Sequence, residues 1–260
     1  MYDLVIVGGG NMGAALLGGL LDSGLVRPPS VAVIEVVEAR RAELVESFPG
    51  VTATADVPAC RAAVLAVKPG DIPTAATAAA SAGATRVLSI AAGVRLSTIE
   101  AATGPAVAVV RAMPNTPALV RLGASAIAAG TMAQPDDVAW AESVLSAVGT
   151  VERVTEPELD LFTGVAGSGP AYVFLVAEAL TEAAVAEGMA RPVAERVVQQ
   201  LLLGSATLLA REGDPALLRE RVTSPGGTTA AGLRVLDSLD VRAAFAAAVR
   251  AATERSRELG

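Results

Sequence analysis

The chain has no histidine and one lysine, Lys68; every other basic residue is arginine. That removes histidine-activated nucleophiles, histidine metal sites and most lysine chemistry before any motif is considered. Cys60 is the only cysteine, so no internal disulfide can form, which fits a reducing cytoplasm. Aromatics make up 3% of the residues against 52% hydrophobic overall, so Ala, Val and Leu must pack the core. No uninterrupted apolar run reaches the roughly 18 residues a membrane span requires; residues 201–210 are broken by Gly204, Ser205 and Thr207. The first residues enter a strand pattern at once, without the basic segment and cleavage site of a secretory signal. The net charge is −7 and no basic cluster is interleaved with aromatics, which argues against nucleic acid as a main partner. The expectation is a cytoplasmic protein of one large or two ordinary domains, with no membrane, nucleic-acid or metal partner.

What is present begins at the N-terminus. Asp3-Leu4-Val5-Ile6-Val7 is a short apolar run that stops at Gly8-Gly9-Gly10, and Asn11-Met12-Gly13 leads into a helical pattern over residues 14–21. Gly8, Gly10 and Gly13 spell G-x-G-x-x-G between a strand and a helix, the context in which that spacing binds a dinucleotide. One glycine permits the tight turn, the next lets backbone approach a pyrophosphate, and the third lets helix and strand pack closely. The helix start then offers unpaired N–H groups to the phosphates. Residues 31–36 read as a second strand, and Glu35 in it lies about 20 residues beyond the glycine turn, where an acidic side chain can accept hydrogen bonds from an adenosine ribose. The plainer alternative is an exposed glutamate at a strand end. Arg40 and Arg41 open the next helix and could hold a 2′-phosphate or lie in solvent.

Further strand patterns at residues 51–54, 63–67, 86–90, 107–110, 124–128 and 151–154 alternate with short helices, which predicts an α/β fold with a mostly parallel sheet. Ligands in such sheets sit outside the carboxyl ends of the strands. Those ends carry the glycine turn, Val67-Lys68-Pro69-Gly70, Ala91-Ala92-Gly93 and Met113-Pro114-Asn115-Thr116-Pro117, which points to one crevice. Lys68 there faces a cofactor or is a surface charge. Asn115, between two prolines, touches a ligand or holds its own loop. From Glu158 the strand pattern vanishes. Helices are predicted over residues 170–187, 192–211, 215–222, 229–239 and 241–258, with Pro near several starts. The domain boundary falls near Thr155, giving a dinucleotide-binding domain at 1–154 and a helical dimerisation and substrate domain at 155–260. Tyr172, Val173, Leu175, Val176, Ala179, Leu180 and Ala183 make the first long helix apolar around much of its circumference. Such a helix is buried on several sides, and dimerisation through the helical half is expected, a compact monomeric bundle being the alternative.

Six blocks carry a family resemblance. They are Gly8-Gly9-Gly10-Asn11-Met12-Gly13, Val67-Lys68-Pro69-Gly70, Ser89-Ile90-Ala91-Ala92-Gly93-Val94 and Arg111-Ala112-Met113-Pro114-Asn115-Thr116-Pro117-Ala118. The remaining two are Gly167-Ser168-Gly169-Pro170-Ala171-Tyr172 and Ser224-Pro225-Gly226-Gly227-Thr228-Thr229. In this order the sequence strongly resembles pyrroline-5-carboxylate reductase over nearly the whole chain, and the last three blocks are far more specific than the glycine motif. The resemblance implies an N-terminal Rossmann domain and a C-terminal all-helical domain that interlocks with a partner's. It implies homodimers that often assemble further, commonly as five dimers in a ring. The implied reaction is hydride transfer from NADPH or NADH to the C=N carbon of 1-pyrroline-5-carboxylate, giving L-proline in the last step of proline biosynthesis. On the family pattern Gly8, Gly10, Asn11, Met12 and Gly13 cradle the pyrophosphate. Val67, Lys68, Pro69, Ala91, Ala92 and Asn115 line the nicotinamide end. Ser224, Pro225, Gly226, Gly227, Thr228 and Thr229 bind the substrate carboxylate through backbone N–H groups, with the Thr229 hydroxyl near the ring nitrogen across the dimer interface.

The chemistry stands largely without the resemblance. Reducing a carbonyl needs a strong acid, usually His or Lys, whereas a cyclic imine can be protonated by water near neutral pH. A protein without histidine can then work mainly by orientation and proximity. Residues 224–229 suit a small anion, with glycines freeing backbone N–H groups ahead of a helix start; a Pro-Gly turn with Thr capping a helix is an equal reading of those residues alone. β-Hydroxyacid-type dehydrogenases resemble one another in carrying a lysine on the first long helix of the second domain, and residues 164–180 contain none. A reductase of another cyclic imine and a catalytically silent dinucleotide-binding protein remain as alternatives. One departure from the family pattern is Glu35-Val36-Val37-Glu38, where many members carry small hydroxyl residues. The expectation is activity with both cofactors and a weakened preference for NADPH.

Overall fold

The computed structural model describes residues 1–260. Short apolar runs closed by Gly, Pro or Asp form the strands, and alanine-rich segments form the helices between them. In chain order these are β1 (Leu4–Val7), α1 (Asn11–Asp22), β2 (Val31–Ile34), α2 (Glu38–Ser47), β3 (Thr52–Thr54), β4 (Ala62–Leu65), α3 (Ile72–Ser81), β5 (Arg86–Ser89) and α4 (Leu96–Thr103). There follow β6 (Ala108–Met113), β7 (Gly123–Ala129), α5 (Pro135–Ser146), β8 (Gly149–Arg153) and α6 (Glu156–Phe162). The last elements are α7 (Gly169–Ala186), α8 (Arg191–Glu212), α9 (Pro215–Arg221), α10 (Thr228–Ser238) and α11 (Val241–Leu259).

One sheet runs in the order β3-β2-β1-β4-β5-β6-β7-β8. The first six strands are parallel, β7 runs antiparallel to β6, and β8 runs parallel to β7. Every residue of β1, β2 and β4 is buried, as strands covered on both faces require. Alternate side chains feed two cores. Val5, Val7, Leu65 and Val87 pack with Ile72 and Ala76 of α3 and Ile99 of α4. Leu4, Ile6, Val64 and Leu88 pack with Leu16, Leu17 and Leu20 of α1 and with Val144 and Leu145 of α5. With almost no aromatic side chains, the layers close on small groups.

The chain forms two compact units, Met1–Ser168 with Ala251–Gly260, and Gly169–Arg250. By packing, the two units part at Ser168. The reason is α6, which packs with the sheet through the fully buried Leu159. Glu158 fastens the start of α6 by accepting the Thr155 N–H and hydroxyl, both at 2.7 Å. Those two bonds hold the Glu158 carboxyl below its ordinary pKa. β6 also runs further than expected, through Arg111, Ala112 and Met113, which pair with β7 instead of forming a loop.

In the second unit prolines stand in the first turn of α8 and α9, Asp214 caps α9, and a left-handed Gly213 closes α8. No residue of α7 is buried, and α8 buries only Ala194 and Val198. The helical stretch Glu156–Ala186 is long and apolar enough to cross a membrane by length and composition, with 17% of its most apolar window buried in this chain. This amends the expectation drawn from uninterrupted runs, because a few Gly, Ser and Thr residues break a run without breaking a helix.

Candidate functional site

The glycine turn joins β1 to α1. Gly8 has φ +112°, and a Cβ there would strike the Ala66 carbonyl beyond the end of β4, so no other residue fits this crossing. A Cβ at Gly13 would strike the Gly8 carbonyl oxygen, so helix and turn meet only because Gly13 has no side chain. Gly10 has no atom within 4 Å of where its Cβ would stand. It is the N-cap of α1, and no side chain caps the helix. The first-turn N–H groups therefore face an open, positively polarised space of the kind that takes a phosphate. Asn11 is exposed and Met12 half-buried beside it.

Glu35 reaches back to this turn. Its Oε2 accepts the Gly9 N–H at 3.2 Å and its Oε1 the Val37 N–H at 2.9 Å. Gly9 is buried between Leu44 and Glu35, a close approach that the sequence pattern does not single out. The two arginines of α2 are engaged locally. Arg40 donates to the Gly9 carbonyl at 2.9 Å and pairs with Glu43 at 2.8 Å. Arg41 donates to the carbonyls of Glu35 and Val36 at 2.7 and 2.9 Å.

Because β1, β4, β5 and β6 are parallel neighbours, the residues after their carboxyl ends share one sheet edge. Lys68 and Pro69 are exposed and Val67 is half-buried after β4; Ala91 is buried and Ala92 exposed after β5. Asn115 is nearly buried after β6, and its carboxamide is committed to backbone. Nδ2 donates to the Ala166 carbonyl at 3.0 Å and Oδ1 accepts the Ala124 N–H at 2.9 Å. Those bonds tie the 114–122 loop to β7 and to the π-helical turn Thr163–Gly167. Of the two roles open to Asn115, holding the loop is the one its bonds describe.

In the second unit Ser224-Pro225-Gly226-Gly227 forms a tight turn. The Ser224 carbonyl accepts the Gly227 N–H at 3.0 Å, and Gly226 has φ +70°. Proline second and a left-handed glycine third is the pattern of a type II turn. Gly227 is the N-cap of α10, again without a side-chain cap. The N–H groups of Thr228 and Thr229 thus open the helix unpartnered within it, with Thr229 half-buried and Ser224, Pro225, Gly226 and Thr228 exposed.

Residues 156–259 match the family model for pyrroline-5-carboxylate reductase dimerisation, and residues 3–93 match a model described as NADP oxidoreductase, coenzyme F420-dependent. The pyrroline-5-carboxylate reductase of Synechocystis is 43% identical over 266 residues, covering 99% of this chain and 98% of that protein. The chain belongs to the pyrroline-5-carboxylate reductase family. The solved reductase of Coxiella burnetii superposes with a TM-score of 0.92 at 36% identity, covering 100% of this chain and 98% of that one. That of Plasmodium falciparum, solved with NADP bound, gives 0.84 at 25% identity, covering 100% and 98%. Membership makes the chain an NAD(P)H-dependent oxidoreductase acting on a C=N bond, with a Rossmann domain and a helical dimerisation domain.

Four charged residues near the sheet edge form two ion pairs that the sequence reading does not single out. Arg111 is almost wholly buried and pairs with Glu156 at 2.9 Å, and Asp160 is buried against Arg95 at 3.3 Å. Glu156 and Asp160, four apart on α6, face the segment that follows Ala91-Ala92-Gly93. The capping box Thr155-x-x-Glu158 is the local signal that α6 begins there; nothing local marks its carboxylates.

Proposed function

We propose that this chain reduces 1-pyrroline-5-carboxylate to L-proline with NAD(P)H, as its family does, and that it does so without a protein acid. The observation that carries the mechanism is the uncapped Ser224–Gly227 turn opening α10, with Thr229 in its first turn. The N–H groups of that turn receive the substrate carboxylate, and Thr229 orients the ring nitrogen through its hydroxyl, across the interface of a dimer. Water supplies the imine proton, so the missing histidine removes nothing the reaction needs.

The open space at Gly10 and the uncapped start of α1 fit a dinucleotide pyrophosphate held by the N–H groups of Asn11, Met12 and Gly13. Val67, Lys68, Pro69, Ala91 and Ala92 line the nicotinamide end, Asn115 stiffening the loop beside them. NAD(P)H supplies the hydride. Glu35 faces the adenosine. Its fixed carboxylate accepts from a ribose hydroxyl and repels a 2′-phosphate, while Arg40 and Arg41, already engaged, offset only part of that repulsion. Both cofactors are used, with NADPH preference weakened. The apolar face of α7 meets a second copy rather than lipid, in a cytoplasmic homodimer that assembles further as five dimers in a ring.

The test is oxidation of each dinucleotide, followed by absorbance, with purified protein and 1-pyrroline-5-carboxylate. Turnover with both supports the proposal. Silence with both in a protein that still binds them moves the substrate to another cyclic imine.

A further inference from the structure

The last turn of the chain is fastened behind the loop that follows β5. Asp160 of α6, 2% exposed, accepts the Ser256 hydroxyl on Oδ1 at 2.8 Å and the Arg95 guanidinium on Oδ2 at 3.3 Å. Arg95 also donates to the Arg257 carbonyl at 3.4 Å. One turn back on α6, Glu156 accepts the Leu96 N–H at 2.6 Å. α6 thus grips two consecutive residues, Arg95 and Leu96, while α11 closes over them. Gly93 lies directly beneath: a Cβ there would stand 3.2 Å from Leu259 Cβ and 3.3 Å from the Leu259 carbonyl oxygen.

Gly93 follows Ala92 directly, and Arg95 stands two residues further on. A buried carboxylate is strongly tied to its partners, because losing one leaves charge uncompensated. Asp160 therefore fixes Arg95 and, through Ser256, decides whether the C-terminal turn is docked. We infer that Ser256, acting through Asp160 and Arg95, is a positioning residue that sets the Ala91-Ala92-Gly93 loop for the nicotinamide end of the dinucleotide. This rests on the proposal above that Ala91 and Ala92 line that end. Small displacements matter there, since about 1 Å of misplacement can cost roughly a hundredfold in rate.

The experiment uses the intact oligomer and two probes, NAD⁺ and ADP-ribose, which shares the adenosine and pyrophosphate but has no nicotinamide. Their affinities are measured calorimetrically for the natural chain, Ser256→Ala, Ser256→Thr and Ala92→Leu, together with amide hydrogen exchange of residues 91–95. Removing one hydrogen bond to a carboxylate should weaken NAD⁺ by about three- to tenfold. ADP-ribose should bind as before, exchange should quicken at residues 91–95, and Ser256→Thr should restore both properties. Equal loss of the two probes, or no loss and unchanged exchange, overturns the inference. Ala92→Leu separates the layers. It should weaken NAD⁺ by itself, and if it does so while Ser256→Ala is silent, only the positioning role fails. If Ala92→Leu leaves NAD⁺ untouched, the nicotinamide assignment beneath it fails.

Discussion

In the first unit a sheet covered on both faces hides Ile6, Leu16, Val64, Leu88 and Ile99 completely, whereas in Gly169–Arg250 only Ala194 and Val198 are buried hydrophobics. There Phe174 is 61% exposed, Leu175 63% and Leu203 60%. The helical unit is no more polar than the other; it holds its apolar surface outside. Burying one Leu or Phe is worth about 1.5–3 kcal/mol, so the first unit has its core in hand and the second leaves that stabilisation unrealised within this chain. The dimerisation model of the family covers this same stretch. The apolar composition of α7 suits a helix buried between protein chains as well as one buried in lipid, since the two share a composition.

Breaking the contrast from the helical side should have the largest effect. Phe174→Glu places a charge on the apolar face of both copies, and the loss counts twice in a symmetric interface. Light scattering should report monomer, turnover should fall by about a hundredfold or more, and the first unit should still bind ADP-ribose. A dimer that persists would mean that another face pairs. From the side of the first unit, Arg111→Met leaves Glu156 without its buried cation. Denaturant unfolding should show a loss of about 3 kcal/mol, at the low end for a broken buried pair because Glu156 is partly solvated. An unchanged midpoint would show that the pair adds nothing.

Two substitutions sharpen the division of labour between the units. Thr229→Ala should lower kcat by about tenfold, the worth of one oriented hydrogen bond, and leave dinucleotide affinity unchanged; an equal loss of cofactor binding would make the turn structural. Glu35→Ser should raise the ratio of NADPH to NADH efficiency by about three- to fivefold, a modest change because the charge is part-exposed. No change would mean that Glu35 does not face the adenosine. The smallest effect is an absence of one. Cys60 is fully buried and burial pushes its thiol pKa up, so a thiol reagent should label nothing until the first unit unfolds.

Helix ends in the second unit were legible to within a residue or so. Pro192, Pro215 and Gly213 mark them, and proline and glycine act through the local backbone. In the sequence β6 looks short, because Arg111, a charge ending an apolar run, resembles a strand terminus. It belongs to the strand because Glu156, 45 residues away, meets its guanidinium. The reversal at β7 follows from the short 114–122 connection, too brief for the dozen or more residues of a parallel crossover. Asn115 shows the limit within the site itself. Its residue type allows two roles, and its two backbone partners, which the sequence does not disclose, show it holding its loop.

By itself the sequence determined the glycine turn, the acidic residue at the end of β2 and the tight turn before α10. Each depends on a few consecutive residues whose dihedral freedom and hydrogen-bonding capacity are intrinsic. The tertiary structure decided which carboxylates are buried and what neutralises them. Asp160 meets Arg95 across 65 residues and Ser256 across 96. The cost of a buried charge is set by the groups that reach it through the fold, and no local pattern of residues encodes that meeting.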